Sequence, residues 1–417
     1  MRRFFLILLC ILYCSASYGQ VFQADRVFDG TDMHEDWLVV VEGNKITAVG
    51  PQNVTTLPRG AEIISLPGMT LLPGLIEGHA HVLLHPYNET SWNDQVLKES
   101  EALRVVRATV HVKKTLMAGF TTIRDLGSEG AGYADVGIKQ AINQGIIPGP
   151  RMLVAGRAIV ATGSYGPKGF APQVKVPLGA EVADGQDDLI RVVRDQIGHG
   201  ADFIKVYADY RWGPNGEAMP TFSQEELELI VRTARSSGRA TVAHAATAEG
   251  MRRATLAGVE TIEHGDGGTL EVFQLMAEKE VALCPTLAAG DAIMQYRGWN
   301  KSREAAPQRI VNKRASFKLA LQAGVTISAG GDVGVFPHGD NVRELEMMVE
   351  YGMLPLAVLQ SATSVNAQLF HVEDKVGRIQ VGLLADLIAV EGDPSQDIRT
   401  LRNLRMIMKD GQFFLKP

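Results

Sequence analysis

The amino-acid sequence predicts an α/β protein consisting of a (β/α)8 barrel and a small β domain built from both chain ends. Three observations lead to this prediction. Apolar strand-like runs alternate with helix patterns through the middle of the chain, as in parallel sheets whose strands are connected by helices. Short strands separated by turns occupy both ends. Residues able to do chemistry follow several of the strand-like runs, which is where barrels place their active sites.

The middle of the chain supplies the eight predicted strands and the helices between them. The strand-like runs lie at 70–77, 121–126, 151–155, 203–207, 241–245, 261–264, 282–287 and 326–330. The clearest helix patterns lie at 101–118, 187–198, 223–236, 247–257, 269–279 and 307–323. A capping box, Ser223–Glu226, begins one of these helices. A doubly wound open sheet is the alternative, but it would not explain why potential ligands follow strands one, four, five, six and eight.

Both ends of the chain predict short strands. Val39–Val41 and Ile46–Val49 flank Gly43–Asn44, a pair typical of hairpin turns. Further strands are predicted at 387–390 and 405–408. We therefore divide the chain into a signal peptide (1–19), the first part of the β domain (20–72), the barrel (73–371) and the second part of the β domain (372–417).

Composition limits the class of protein. The chain has 417 residues, enough for a barrel-sized domain and a smaller one. Apolar residues make up 46% and charged residues 21%, as in ordinary globular proteins. The net charge of -6 is spread along the chain, and no basic patch contains interleaved aromatic residues. A nucleic-acid partner is therefore not expected. The oligomeric state stays open, and a homo-oligomer is one alternative.

The first residues have the three-part pattern of a secretory signal peptide. Arg2 and Arg3 precede the apolar run 4–13, and small residues follow up to Gly19. Cleavage near Gly19–Gln20 would give a secreted or periplasmic protein with no stable membrane span. Lipidation at Cys14 is the alternative, which its bulky neighbour Tyr13 disfavours. Cys284 would remain as the lone cysteine of the mature chain, where it is predicted to be buried and not to form an intrachain disulfide.

The most specific motif is the pair His79 and His81, which follows the first barrel strand. Residues two apart on a strand point the same way, so both imidazoles are expected to face the barrel mouth and share one divalent metal. Taken alone, the pair would fit buried core histidines equally well. The preceding run Pro73–Ile76 and the later candidate ligands favour metal binding.

Lys205 lies within the apolar strand run 203–207. A buried lysine is costly unless its charge is paired or removed, and burial lowers its pKa. The neutral amine can react with carbon dioxide to form a carbamate, which would bridge two metals as a carboxylate does. The competing interpretation is a lysine whose amine reaches solvent at the end of the strand.

Three further candidate ligands follow later strands. His244 and His264 end strands in successive β-α units and suit a second metal. Asp332 follows the last strand run and the pair Gly330–Gly331, where it could contact the first metal and a bridging water. An isolated histidine or aspartate at such a position would more often cap a turn.

Together these residues resemble the amidohydrolase superfamily over nearly the whole mature chain. The marks of the resemblance are Pro73–His81, Lys205, His244, His264, Asp332, the helix Ser361–Ala367 and the strand Gly382–Val390. The resemblance implies a (β/α)8 barrel with a β-sandwich domain formed by both chain ends.

Within the superfamily the chain is most similar to the imidazolonepropionase-like group that includes Xaa-Pro and other dipeptidases. Deaminases and true imidazolonepropionases of the superfamily lack the strand-four lysine, so Lys205 disfavours both reactions. The run His244–Thr247 also lacks the glutamate typical of deaminases. Dipeptidase-like relatives often carry Gly-Gly-His-Gly after strand three, where this chain has Thr162–Gly166.

The resemblance implies a hydrolase with two divalent metals, for which zinc is the best-suited ion. The metals would share a water and lower its pKa towards 7, and the resulting hydroxide would attack an amide carbonyl. Asp332 is predicted to act as general base and then as general acid towards the leaving amine. The expected substrate is a small molecule, a dipeptide or an N-acyl amino acid. The alternatives are a lactone or ester hydrolase on the same metals and a metal-free, non-catalytic barrel, which the complete ligand set disfavours.

Residues from loops at the predicted barrel mouth are candidates for substrate binding. Arg211 could bind a substrate carboxylate in a bidentate way. The full set of candidates is Tyr165, Tyr207, Tyr210, Arg211 and His338.

Overall fold

The computed structural model describes residues 19–171 and 173–417. The predicted signal peptide, apart from Gly19, lies outside the described residues, as does Cys14. The N-terminal strands are β1 (Gln20–Phe28), β2 (Met33–Glu35), β3 (Trp37–Glu42), β4 (Lys45–Pro51) and β5 (Glu62–Pro73). Glu42 and Lys45 pair across the turn between β3 and β4, which confirms the predicted hairpin.

The middle of the chain alternates between strands and helices. Its strands are β6 (Leu75–Ala80), β7 (Phe120–Asp125), β8 (Arg151–Val154), β9 (Ile159–Val160), β10 (Glu181–Val182), β11 (Ile204–Tyr207), β12 (Asp209–Arg211), β13 (Ala218–Pro220), β14 (Thr241–Ala245), β15 (Thr261–His264) and β16 (Ala282–Cys284). Its helices are α1 (Trp92–Lys98), α2 (Glu101–Met117), α3 (Ala134–Asn143), α4 (Gly185–Gly198), α5 (Gln224–Arg235), α6 (Ala248–Ala257), α7 (Leu270–Glu278), α8 (Leu287–Tyr296), α9 (Gln308–Gln322), α10 (Val342–Glu350), α11 (Pro355–Gln360) and α12 (Asn366–Leu369). A π-helical turn, Ser361–Val365, joins the last two helices.

Most predicted elements are present. The first seven strand-like runs each contain a strand, and the six predicted helices agree with the observed ones to within two residues at either end. The capping box at Ser223 is formed in both directions, since its hydroxyl accepts from the Glu226 amide and the Glu226 side chain accepts from the Ser223 amide. Cys284 is buried, as expected, and forms no disulfide with the described residues.

The prediction of a regular eighth strand at 326–330 is wrong. This segment makes one isolated bridge, between Ile327 and Leu283, and a second follows it between Val333 and Ala80. The physical reason is the backbone curvature that follows, because Asp332 adopts a left-handed φ of 63° directly after two glycines. The segment nevertheless lies between β16 and β6 and hydrogen bonds to both.

The parallel strands form two sheets. One has the order β6-β7-β8 and the other β10-β9-β11-β14-β15-β16. The segment 326–333 connects them on one side, since the Leu283 amide donates to Thr326 and the Gly78 amide to Ala329. Among the described residues no ladder joins β8 to β9, β10 or β11, so the predicted barrel strands are divided between two sheets and do not form one continuous ladder.

The chain ends build one β-sheet domain, as predicted. The C-terminal strands β17 (Leu387–Glu391), β18 (Leu404–Lys409) and β19 (Gln412–Leu415) extend the N-terminal strands in the order β19-β18-β17-β5-β1-β3-β4, with β2 paired to β1. This is a single hydrogen-bonded sheet, whereas the resemblance implied a sandwich. The sheet curls, because the Ile46 amide donates to Leu383 and the Ala385 amide to Asn44. The curl encloses an apolar core that a second sheet would otherwise cover.

Among the described residues, no helix is both long and apolar enough to cross a membrane.

Asn366 joins the irregular segment to the first parallel sheet. Its amide nitrogen donates to the carbonyls of Ile76 (2.9 Å) and Ala329 (2.8 Å), and its oxygen accepts from Ser328 (2.7 Å). We predict that Asn366→Ala lowers the free energy of unfolding by about 2–4 kcal/mol, because it leaves buried polar groups unpaired. Urea denaturation measures this. The exposed Asn312→Ala variant is the control, and equal stability of the two variants would contradict the prediction.

Candidate metal centre and active site

Five of the six predicted ligands lie on or directly after parallel strands, and the sixth, Asp332, follows the irregular segment 326–330. His79 is on β6 and His81 directly follows it. Lys205 is on β11, and the register pairs Tyr207 of β11 with His244 of β14. Ala245 of β14 in turn pairs with His264 of β15. Because neighbouring parallel strands end at the same edge, these side chains converge.

The candidate ligands approach one another closely. The ring centroids of His79 and His81 are 5.3 Å apart, those of His79 and His264 5.2 Å, and those of His244 and His264 4.5 Å. One oxygen of Asp332, Oδ1, lies 3.6 Å from His79 Nε2 and 3.4 Å from His81 Nε2. Ligand atoms of His79, His264 and Asp332 all lie within 4.8 Å of one another, as a shared cation would require. The structure thus brings together residues that are up to 253 positions apart in the chain.

Two of the candidate ligands have a strained backbone. His264 has a φ of 78° and Asp332 a φ of 63°, in the left-handed region that residues other than glycine rarely adopt. Such conformations persist where the surroundings fix them, and they cluster at functional sites. Here the strain turns both side chains towards the histidine cluster.

Lys205 is buried beneath this cluster, and its ammonium nitrogen has no hydrogen-bond partner among the described residues. Burial lowers the pKa of Lys205 to about 8. Its positive charge in turn contributes to the low pKa values of His79 and His264, although burial is the larger cause for both. An amine so placed is unfavourable unless a further group compensates it, which fits the predicted carbamate.

The donor set as a whole fits divalent cations. Besides the amine of Lys205, the Nδ1 atom of His244 and the Oδ1 atom of Asp332 are buried without a partner among the described residues. Buried polar atoms are rarely left unsatisfied in proteins, and a bound ion is one explanation. Burial lowers the pKa of His244 to about 3, which keeps this imidazole neutral and able to bind a metal.

Hydrogen bonds at Nδ1 fix the ring orientation of the other three candidate histidines, His79, His81 and His264. His79 Nδ1 donates to Glu263 (2.8 Å) and His81 Nδ1 donates to the Gly127 carbonyl (2.9 Å). His264 Nδ1 lies 2.8 Å from the Thr286 hydroxyl. In each ring Nε2 is therefore the nitrogen left for a ligand, an arrangement common in metal sites.

Glu263 is a functional residue that sequence reasoning missed. It is completely buried and accepts from His79 through Oε2 and from Arg124 through Oε1, both at 2.8 Å. Although burial raises the pKa of this carboxyl, the positive charge of Arg124 and the hydrogen bond from His79 bring it well below its usual value. An acidic residue inside an apolar strand next to His264 was the available signal.

The four candidate histidines and Asp332 line a cavity of about 580 Å³. Among the residues predicted to bind substrate, the cavity is lined by Tyr165, Tyr207, Tyr210 and Arg211. The tyrosines form one aromatic cluster with ring centroids 4.8–5.7 Å apart, and Tyr207 stacks on His244. A second missed residue, Glu129, lines the cavity as well.

His338 does not line this cavity, contrary to expectation. Its ring stacks on His111 with centroids 4.4 Å apart, and its Nε2 donates to the Leu84 carbonyl (3.1 Å). Burial holds the pKa of His338 well below its usual value. The reason for the difference is tertiary packing. The stacking on His111 of α2 and the hydrogen bond to Leu84 hold the His338 ring away from the cavity.

Comparison with known proteins identifies the family. The model of the amidohydrolase family matches residues 70–413. The chain belongs to the amidohydrolase family. This result confirms the predicted resemblance and the prediction of a hydrolytic enzyme acting on C–N bonds.

Individual relatives support the dipeptidase-like group. The chain is 30% identical to an ochratoxinase of Aspergillus niger over 380 residues, which cover 83% of this chain and 76% of the relative. A solved structure of a Xaa-Pro dipeptidase with bound methionine in its active site is 32% identical, covers 95% of this chain and 100% of its own, and superimposes with a TM-score of 0.84. A prolidase complexed with N-methylphosphonate-L-proline is 28% identical, with 96% and 100% coverage and a TM-score of 0.81.

Glu263 generates a prediction about metal affinity. In Glu263→Gln, the negative charge beside His79 is lost, so we expect metal affinity to fall by about 10–100-fold. Metal titration followed by calorimetry measures the change. Glu260→Gln is the matched control, since this partly exposed carboxylate pairs with His371 and lies outside the cavity lining. Unchanged affinity in Glu263→Gln would show that His79 is held by its packing alone.

Proposed function

We propose that this chain is a binuclear metal-dependent hydrolase that cleaves the amide bond of a dipeptide or an N-acyl amino acid. The observation that carries the proposal is the convergence of the histidine cluster and Asp332 at one cavity, together with the buried amine of Lys205, which has no hydrogen-bond partner among the described residues. We infer with it that the parallel strands have the arrangement of a (β/α)8 barrel, in which such residues line the carboxyl-terminal mouth.

Two metal ions would be held by this set. His79, His81 and Asp332 would hold the first, and His244 and His264 the second. Lys205, as a carbamate formed with carbon dioxide, would contact both. Imidazoles together with carboxylate-type oxygens suit zinc. When bound, the ions would supply a water of lowered pKa and polarise the substrate carbonyl.

Asp332 is the residue placed to transfer the proton. Asp332 Oδ1 lies beside His79 and His81 at the cavity, and burial raises the pKa of the Asp332 carboxyl to about 6 before any metal is bound. Its Oδ1 atom has no partner among the described residues. Asp332 would accept a proton from the attacking water and deliver it to the leaving nitrogen. Amide cleavage needs this delivery, since an amide anion is a very poor leaving group.

The lining of the cavity supports a small substrate with a carboxylate. Arg211 is exposed at the cavity, and among the described residues no carboxylate lies within 4.0 Å of its guanidinium. A substrate carboxylate could therefore bind it in a bidentate way. Two similar structures contain bound methionine and N-methylphosphonate-L-proline, and each of these small molecules carries a carboxylate, which supports a small carboxylate-bearing substrate.

A substrate library tests the proposal. The chain without residues 1–19, purified with zinc and bicarbonate, is assayed for amino-acid release from dipeptides, their C-terminal amides and N-acyl amino acids. We expect release from a coherent subset of substrates with a free carboxylate. Hydrolysis confined to lactones or esters, with two metals bound, would contradict the proposed amide substrate and leave the metal site in place. Failure to bind metal would contradict the proposal as a whole.

Lys205 is predicted to form a carbamate. Lys205→Ala is expected to lose at least one of two metals per chain, because the bridging oxygens disappear. Elemental analysis measures the metals, and a carbon-13 resonance from labelled bicarbonate reports the carbamate directly. Lys139→Ala, which removes a partly exposed amine paired with Asp202, is the control. Full metal content in Lys205→Ala would rule out the carbamate bridge.

Asp332 is predicted to matter for turnover more than for metal content. Asp332→Asn keeps an oxygen ligand but cannot carry the proton, so kcat is expected to fall by about 10²–10⁴-fold while the metals remain bound. Steady-state kinetics and elemental analysis on the same sample measure both quantities. A variant that retains the full rate would remove Asp332 from the proton-transfer role.

We also propose that residues 1–19 direct the protein to the periplasm or outside the cell. N-terminal sequencing of the protein from an expressing cell tests this, since an intact Met1 would contradict signal cleavage.

A further inference from the structure

Glu129 is an acidic residue of the cavity that the proposed mechanism does not use. It follows β7, lines the cavity and is 3% exposed. Its backbone is strained, with a φ of 49°. The guanidinium of Arg104 holds this turn by donating to the carbonyls of Glu129 (2.8 Å) and Ser128 (3.1 Å). A strained residue held by its surroundings at a cavity wall is typical of a functional position.

The two carboxylate oxygens of Glu129 have different surroundings. Oε2 accepts hydrogen bonds from Tyr165 Oη (2.7 Å) and Trp92 Nε1 (2.8 Å), which are both neutral donors. Oε1 accepts none among the described residues. The nearest basic atom to Oε1 is His81 Nδ1 at 4.0 Å, and this atom already donates to the Gly127 carbonyl.

Glu129 therefore lacks a cationic partner within the part of the chain that the structure describes. Arg104 is close, but its guanidinium is used by backbone carbonyls. A nearly buried carboxylate without a cation is unfavourable, and it becomes favourable when a cation binds beside it. Holding Tyr165 and Trp92 in place needs only Oε2, so that structural role does not account for Oε1.

The position of Glu129 fits a particular part of a substrate. One imidazole ring, that of His81, lies between Glu129 and the other candidate ligands. Its Nδ1 atom is 4.0 Å from Glu129 Oε1, and its Nε2 atom is 3.4 Å from Asp332 Oδ1. In a dipeptide the α-amino nitrogen is two bonds from the scissile carbonyl carbon. A substrate whose carbonyl lies at the candidate ligands can thus place its ammonium group near Glu129.

We infer that Glu129 Oε1 binds the α-ammonium group of the substrate, so that the enzyme selects dipeptides with a free amino terminus over N-acyl amino acids. This inference rests on the proposed function and narrows it. Arg211 lies across the tyrosine cluster, since Tyr210 contacts both the Arg211 guanidinium and the Tyr165 ring. Glu129 and Arg211 then provide charges of opposite sign at the cavity wall, as a zwitterionic dipeptide requires.

Matched substrates test the inference. An alanyl dipeptide that the enzyme hydrolyses is compared with the propionyl derivative of the same C-terminal residue, which differs only by the missing amine. We expect the wild type to favour the alanyl substrate in kcat/KM on the order of tenfold to hundredfold, the size of a lost charge-assisted hydrogen bond. Glu129→Gln should lose this preference, because its kcat/KM should fall for the alanyl substrate and stay unchanged for the propionyl substrate. Glu129→Asp, which keeps the charge, should retain part of it.

Two kinetic outcomes would overturn the inference. The first is an equal fall in kcat/KM for both substrates in Glu129→Gln, which would indicate that Glu129 positions His81. The second is a wild-type enzyme whose kcat/KM is the same for the alanyl and the propionyl substrate. Glu89→Gln is the control, because this exposed carboxylate contacts His85 and does not line the cavity.

A binding measurement keeps the test separate from the proposed function. Calorimetry compares L-alaninamide with propionamide on the metal-loaded protein, and we expect the wild type to bind L-alaninamide selectively and Glu129→Gln to lose that selectivity. If no substrate is hydrolysed but this result holds, the proposed function fails and the role of Glu129 stands. Equal binding of both amides would overturn the role of Glu129 even in an active hydrolase.

Discussion

The buried ion pair between Arg124 and Glu263 joins the two parallel sheets beneath the candidate metal centre. Arg124 lies on β7 of the first sheet, and Glu263 on β15 of the second, with 2.8 Å between Nη2 and Oε1. The pair is almost fully hydrogen bonded, since Arg124 also donates to Gly78 and Glu263 also accepts from His79. Burying two charges is tolerated only with such complete pairing. The orientation of His79, and with it the spacing of the whole centre, depends on this contact.

Several energetically unfavourable features, namely strained backbones and a buried amine, lie close together at the candidate metal centre. His264 and Asp332 have strained backbones, and the buried amine of Lys205 has no hydrogen-bond partner in the part of the chain that the structure describes. Each is unfavourable by itself, and the large apolar core around the strands offsets them. Their occurrence at one place is understandable if ions and a substrate complete the site, because preorganised donors then need little rearrangement on binding.

The centre and the cavity wall have different tasks. The candidate ligands would supply the same chemistry for any amide, lactone or ester, so they cannot by themselves decide which substrate is used. Selection falls to the wall, where Glu129 and Arg211 carry opposite charges and the tyrosine cluster fills the space between them. Within this wall Tyr165, from the stretch Thr162–Gly166, donates a hydrogen bond to Glu129. We therefore expect substrate choice to depend on these wall residues and not on the candidate ligands.

Local sequence patterns determined most of the secondary structure and the candidate ligands. Alternation along a strand predicts that His79 and His81 share a face, and a capping box predicts the start of α5, because both effects act over a few residues. The tertiary structure alone decided the rest. Glu263 lies 184 positions from His79, and no local rule relates two residues brought together by different sheets. The stacking of His338 on His111 and the curl of the β sheet have the same origin, since each depends on how distant segments pack.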